Sequence, residues 1–371
     1  MRTDTGTDPD EALHAAIAEA SAASLRAAAP DPVTTDWAQS ALRTHYGLSG
    51  TVAPAADRSG RCFELALPDG SLGELHVARP GADPEVIDFE VQALLHIARV
   101  DCGLPVQRPV PSQDGAPWLM LADDQGQPRA VRLLRRPQGQ PMAHGRATSP
   151  DAVARILARL DGALARLWHV AGEKNLPGDI QRADRIRALL DLVPDATHRA
   201  LAHQALDAFE QRAKPVLPAL RRQPIHNDLG VHALLVDPAA AGEIVGILDF
   251  SSIVEAPLVC SLAGTAAWQI GIGQHDTGED AIAVVAGFAA AYHAVTPLQE
   301  IEMRLLPDLT RARLAMDLAI GCWRLARDPM NSGELKTQNT IAAHRLRLMA
   351  ACSPEKACEA VLQACRTADA G

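Results

Sequence analysis

The window at 225–250, IHNDLGVHALLVDPAAAGEIVGILDF, concentrates the residues able to do chemistry. His226 and Asp228 stand on a turn that leads into an apolar run, Ala233 to Val236; a second short strand, Ile244 to Leu248, then delivers Asp249 and Phe250. Two strands joined this way fold back on each other, so the two carboxylates are expected at one end of a hairpin. Phosphoryl transfer needs such a pair. One carboxylate orients the attacking hydroxyl, and another holds Mg²⁺ on the nucleotide phosphates.

Positioning that hairpin calls for more than one body, because 371 residues exceed what one simple core accommodates. Hydrophobic residues make up 47% and aromatics 3%, which predicts a core of Ala, Leu and Val. The pattern predicts helices over 9–29 and 36–46, then a β-hairpin from Cys62–Leu67 and Gly73–Ala78 around Pro68-Asp69-Gly70. A helix over 84–100 and strand pieces at 105–111, 118–122 and 130–134 follow. Beyond a linker, RRPQGQPM, the character turns helical: 152–169, 184–192, 197–217, 260–272, 281–292, 298–326 and 337–351. The expectation is an α+β chain. It has an N-terminal helical extension (1–32), a small β-rich lobe (33–134) and a large helical lobe (135–371) that carries the carboxylate hairpin.

Charge and cysteines narrow the partners. A net charge of −10 argues against a nucleic-acid surface and suits a cationic or zwitterionic substrate. Seven cysteines without CxxC spacing fit a reducing compartment better than a disulfide framework. No apolar core for a signal peptide and no apolar run of about 18 residues is present, so a cytoplasmic location and no membrane partner are expected. No HExxH, GxSxG, GxxxxGK[ST] or GxGxxG occurs.

His226-Asn227-Asp228 followed by Gly246-Ile247-Leu248-Asp249-Phe250 resembles the HNDxxxxN loop and GIIDFGD strand of hydroxylysine kinase-like proteins. These are a branch of the aminoglycoside phosphotransferase and choline kinase superfamily, with a two-lobed protein-kinase-like fold. The stretches 83–106, VRLL (131–134), ARLDGALARL (158–167) and CWRLARDPMN (322–331) are similar to other parts of that fold. The resemblance implies ATP and Mg²⁺ as cofactors and a small-molecule substrate carrying a hydroxyl. It implies Asp228 as catalytic base, His226 as a structural part of the catalytic loop, Asp249 as metal ligand and Glu90 as the helical partner of a phosphate-binding lysine.

The chain departs from that pattern. His76 stands where the strand lysine belongs, and histidine is shorter and largely neutral at pH 7. Ala233 replaces the loop Asn that supplies a second metal contact; the adjacent His232 is a poor Mg²⁺ ligand. Ser251, Ser252 and Ser261 stand where the family has Gly or Asp, and the loop at 57–62 offers Arg58 and Arg61 as phosphate contacts or as a solvated turn. A single lost electrostatic contact costs about 10²- to 10³-fold. Two function classes therefore follow: an ATP- and Mg²⁺-dependent small-molecule kinase, with Glu90 and His76 as a weakened phosphate site, or a pseudokinase whose cleft binds a small molecule or partner protein. Trp168, Trp268 and Trp323 are expected in helix packing, and Arg324 and Arg327 on a substrate pocket or a solvated face.

Overall fold

The computed structural model describes residues 33–55, 61–142, 148–240, 242–271, 277–327 and 332–369. The helix expected over 9–29 and position 58 lie outside these residues.

Helix α1 (Thr35–Ala41) is capped by the Thr34 hydroxyl, which accepts from the Trp37 N–H, and widens into a π-helical turn to Tyr46 before Gly47 at φ 64°. The expected hairpin forms from β2 (Cys62–Ala66) and β3 (Leu72–Val77). Its turn is fixed by Asp69, whose carboxylate accepts from the Ser71 N–H and hydroxyl. β1 (Val52–Pro54) pairs with β2; β6 (Pro128–Arg136) pairs with β3, β4 (Arg108–Val110) and β5 (Leu119–Ala122), all antiparallel. Strand alternation sorts the two faces. Leu75, Val77, Val131 and Leu133 bury against α1 and Tyr46 in a small core. Glu74, His76 and Arg132 lie on the other face, with His76 directly opposite Arg132.

Helix α2 (Pro84–Val100) starts with Asp83 accepting from the Glu85 N–H and Pro84 in the first turn, a favourable N-terminus. Its apolar side, Phe89, Leu94 and Ile97, joins the large core shared with the helical lobe. That lobe comprises α3 (Pro150–Leu164), α4 (Ala196–Ala208), α5 (Leu258–Gln269), α6 (Gly278–His293), α7 (Glu300–Arg327), α8 (Ser332–Ala350) and α9 (Pro354–Asp369). The carboxylate hairpin is β9 (Leu234–Val236) and β10 (Ile244–Ile247). Two further strands bracket it as an antiparallel pair, β8 (Arg222–Ile225) and β11 (Val254–Pro257). A parallel bridge from Val106 to Ile247, with the Ile247 N–H donating to the Pro105 carbonyl, clips the hairpin to the chain entering the small sheet.

Several boundaries differ from the sequence expectation. The linker at 135–142 contributes β7 (Gln140–Pro141), which pairs with β9. The helix expected over 152–169 stops at Leu164; Arg166 takes φ 68°, and Trp168, expected in packing, is 75% exposed. The reason is tertiary. His169 turns away from the helix axis to meet Asp88 of α2 at 3.0 Å and to stack on Phe89. The segment 180–192 is 3₁₀, and the helix expected to 217 passes into a π turn at Phe209–Ala213. Trp323 is buried as expected, whereas Arg324 and Arg327 are exposed, Arg327 lying over the Trp323 ring at 4.8 Å. Cys102, Cys260, Cys322, Cys352, Cys358 and Cys365 are free thiols, and among the described residues no helix is long and apolar enough to cross a membrane.

Candidate active site

Among the described residues three non-glycine residues adopt positive φ, and two of them flank the predicted chemistry: Asn227 (67°) and Asp249 (60°). L-residues rarely enter this region, and such conformations concentrate where surrounding structure holds a functional group in place. The strain at 227 turns Asp228 out of β8. The strain at 249 turns its carboxylate out of β10, where Oδ1 accepts from the Ser251 hydroxyl at 2.5 Å and the Ser251 N–H at 3.3 Å.

His226 joins the two turns. It is fully buried, its Nε2 lies 2.9 Å from the Leu248 carbonyl, and its ring meets Phe250 edge-on at 4.8 Å. Burial pushes its pKa down against the pull of that carbonyl and of Asp249 and Asp228, so the ring is neutral and Nε2 carries the donated hydrogen. His226 therefore ties the turn before Asp228 to the strand end before Asp249.

Asp228 is held on both carboxylate oxygens. Arg313, buried on α7, donates from Nη2 to Oδ1 at 2.8 Å, and His232 Nε2 lies 3.4 Å from Oδ2. Burial alone would raise the Asp228 pKa; the bonds and charges of His232 and Arg313 outweigh it and hold the carboxyl well below its usual range. Arg313 also donates to the Asn227 carbonyl at 3.0 Å and to Asp317 at 2.7 Å. His232 packs edge-on against Trp268 at 5.5 Å. Its pKa is raised: burial opposes the charge, but Asp228, with Asp249 adding its field, prevails. Asp228 meets this imidazole directly, and the charge of Asp249 adds to its pull.

Ala233 is fully buried and offers no ligand atom. Among the described residues no group of three or more His, Cys, Asp or Glu is arranged to hold a metal. The exposed Asp249 carboxylate is a hard oxygen donor of the kind Mg²⁺ takes when substrate phosphates and water complete its shell. The donor set therefore fits a nucleotide-borne Mg²⁺ through Asp249 alone.

Glu90 and His76 take different partners. His76 Nε2 lies 3.3 Å from Glu74, Gln107 donates to the same Glu74 oxygen at 2.6 Å, and the Gln107 carbonyl oxygen accepts from the Asp249 N–H at 3.3 Å. A polar chain thus runs from His76 to the backbone of Asp249. Glu90 instead faces Arg132 of β6 at 2.7 Å and Lys174 at 3.9 Å. Lys174 also donates to the Ser251 carbonyl at 3.0 Å, immediately beyond the Asp249-Phe250 pair.

Sequence reasoning missed Arg313, Arg132 and Lys174. Arg313 carried a signal, an Arg and Asp317 four residues apart in an otherwise apolar helical stretch. Arg132 was visible as the charged residue of VRLL, in register to share a face with the phosphate strand. Lys174 had a compositional signal: it is one of four lysines in a chain with 35 Lys and Arg.

Residues 73–301 match the APH family model, described as the phosphotransferase enzyme family. Hydroxylysine kinase of Mus musculus is 23% identical over 213 residues, covering 54% of this chain and 55% of its own length. The chain therefore spans about half of that curated relative. A microcompartment-associated aminopropanol kinase superposes with a TM-score of 0.58 at 20% identity, over 85% of this chain and 97% of its own. Amicoumacin kinase hAmiN, solved with AMP-PNP, Ca²⁺ and its antibiotic, gives 0.57 at 15% identity over 79% and 87%. An aminoglycoside phosphotransferase from Alicyclobacillus acidocaldarius gives 0.53 at 20% over 82% and 92%. At these identities the structural likenesses establish the fold, the two-lobed α+β kinase-like architecture expected from the sequence. With more than half of its length matched by the family model, the chain belongs to the APH phosphotransferase enzyme family.

Proposed function

We propose that this chain is an ATP- and Mg²⁺-dependent kinase that phosphorylates a hydroxyl of a small polar, amino-bearing metabolite. The observation that supports this reading most is the buried His226 ring, two residues before Asp228, whose Nε2 lies 2.9 Å from the Leu248 carbonyl next to Asp249 and so ties together the two turns that carry the acids. Asp249 would hold Mg²⁺ on the nucleotide, and the ion would neutralise charge on the transferring phosphoryl group. Asp228 would accept a hydrogen bond from the substrate hydroxyl. Because Arg313 holds the Asp228 carboxyl well below its usual range, Asp228 is a weak base that orients the hydroxyl rather than removing its proton early. A loose phosphoryl-transfer transition state tolerates this, since the proton leaves late. The acidic balance of the chain and the amine-bearing compounds in the relatives' names, aminopropanol, hydroxylysine and aminoglycosides, support a substrate with an amino group.

Calorimetric titration with Mg-ATP, followed by ADP release across hydroxylated amines and amino acids, tests this. Absence of both nucleotide-induced thermal stabilisation and turnover rejects it.

The buried Ala233 favours a second reading, a pseudokinase whose cleft binds a small molecule or protein partner. If the His76→Lys, Ala233→Asn double variant gains Mg-ATP binding that the wild type lacks, the second reading stands. Tight binding by the wild type that Asp249→Ala abolishes excludes it.

A further inference from the structure

Resting on the kinase reading, we propose that Lys174, entering from the helical lobe, is the cation that receives the nucleotide's phosphates, with Arg132 beside it, in place of a lysine on β3. The site it would form binds the polyphosphate of a nucleoside triphosphate.

Three observations carry this. First, the position of the ammonium is defined by two contacts. Lys174 Nζ lies 3.9 Å from Glu90 on α2 and donates to the Ser251 carbonyl at 3.0 Å, next to the loop that bears Asp249. The ammonium has three donors; the Ser251 carbonyl takes one and Glu90 is beyond hydrogen-bond length, so donor capacity remains for an anion. Second, Arg132 reaches the same Glu90 at 2.7 Å from the strand opposite His76. Two cations thus meet one helical carboxylate beside the sheet face that bears Glu74, His76 and Arg132, while His76 is engaged with Glu74. Third, the lysine is held rather than tethered. Its loop is pinned to α2 by His169, which meets Asp88 at 3.0 Å and stacks on Phe89 at 5.1 Å, and the ammonium lies 5.7 Å from that ring.

Composition points the same way. The chain carries 35 Lys and Arg but four lysines, and Lys214, Lys336 and Lys356 are exposed whereas the Lys174 side chain is 8% exposed. A chain that otherwise prefers arginine places a lysine where a compact point charge is needed at close quarters. Burial lowers the pKa of this ammonium; Glu90 and Asp249 oppose that and Arg132 adds to it. A larger share of this amine is therefore unprotonated than an ordinary lysine ammonium would have at the same pH.

The test uses the full chain. An acyl-phosphate derivative of ATP transfers its acyl group to a lysine amine beside the terminal phosphate, forming an amide and releasing ATP, and peptide mass spectrometry locates it among the four lysines. Acylation at Lys174 that excess Mg-ATP suppresses is expected. In parallel, Lys174→Met and Arg132→Met should each weaken Mg-ATP binding by about tenfold or more, far beyond any change in adenosine binding, with Lys174→Arg restoring much of the loss. Wild-type affinity for Mg-ATP, combined with acylation confined to Lys214, Lys336 and Lys356 and with variants that bind Mg-ATP as the wild type does, overturns this assignment and leaves the kinase reading intact. No wild-type affinity for Mg-ATP overturns both. If Lys174→Met does not fold, the wild-type labelling pattern and Arg132→Met decide.

Discussion

Arg313 Nη2 lies 2.8 Å from Asp228 Oδ1, and the same guanidinium spans the Asn227 carbonyl and Asp317. A helix deep in the large lobe therefore sets both the backbone and the carboxylate of the catalytic turn. An Arg fork suits this because its planar donors bind several acceptors in fixed directions. It also keeps Asp228 ionised, at the expense of its basicity.

Arg313→Met should cost roughly 2–4 kcal/mol at neutral pH, because it leaves acceptors in a largely buried turn without their donor. The sign with pH follows from the depressed folded pKa of Asp228. The stabilisation is present above the unfolded carboxylate value, about 3.9, and is lost as pH falls below it toward the folded value. Urea denaturation at pH 7 and pH 3.5 should show a smaller gap between wild type and variant at the acid end. An equal gap at both would mean that Arg313 acts by packing rather than through the Asp228 charge.

The shared influence of Asp228 and Asp249 on His232 can be read directly by NMR. The wild-type imidazole should titrate above 6.5, since Asp228 and Asp249 together outweigh its burial. Asp249→Asn should move the midpoint down. The stability that the protonated ring contributes is complete below 6.5 and disappears as pH rises through its raised value, so the variant should lose that contribution at lower pH than the wild type. A midpoint indifferent to Asp249→Asn would show the two carboxylates too far apart for one site.

Gly230 is required by close approach. A Cβ there would come within 2.8 Å of the His232 ring and 2.9 Å of Trp268. Gly230→Ala should destabilise by about 1–3 kcal/mol and displace His232 from Asp228, which a return of the His232 titration toward 6.5 would register. Thermal unfolding supplies the first number and NMR the second.

Asp161 lies outside the site, buried in the helical core. Ser261 donates to one of its oxygens at 3.0 Å and Tyr292 to the other at 2.8 Å. Burial outweighs both and raises its pKa from 3.8 to about 7. Its contribution is fully present below 3.8 and is lost as pH rises through about 7, an effect of up to about 4 kcal/mol at 1.4 kcal/mol per unit. Asp161→Asn, which carries no charge, should flatten stability between pH 5 and pH 8 relative to wild type. Urea denaturation across that range checks it; parallel curves would show that Asp161 titrates normally.

What the sequence determined is local. Turn residues such as Pro68-Asp69-Gly70, the periodicity of 84–100 and the two short apolar runs of 234–247 dictate their elements from neighbouring residues, because propensity and period act over a few positions. The turn after His226 and the strand that ends before Asp249 were legible for the same reason. Tertiary structure decided the rest. Helix α3 ends at Leu164 because His169 is drawn to Asp88 of a different lobe, a pull no local pattern records. The charges around the site come from distant segments, Arg313 from α7, Arg132 from a strand and Lys174 from a loop, and only packing could bring them to Asp228 and Glu90. A side chain's partner is set by three-dimensional proximity, and the cost of burying an unpaired charge makes that pairing a property of the folded chain.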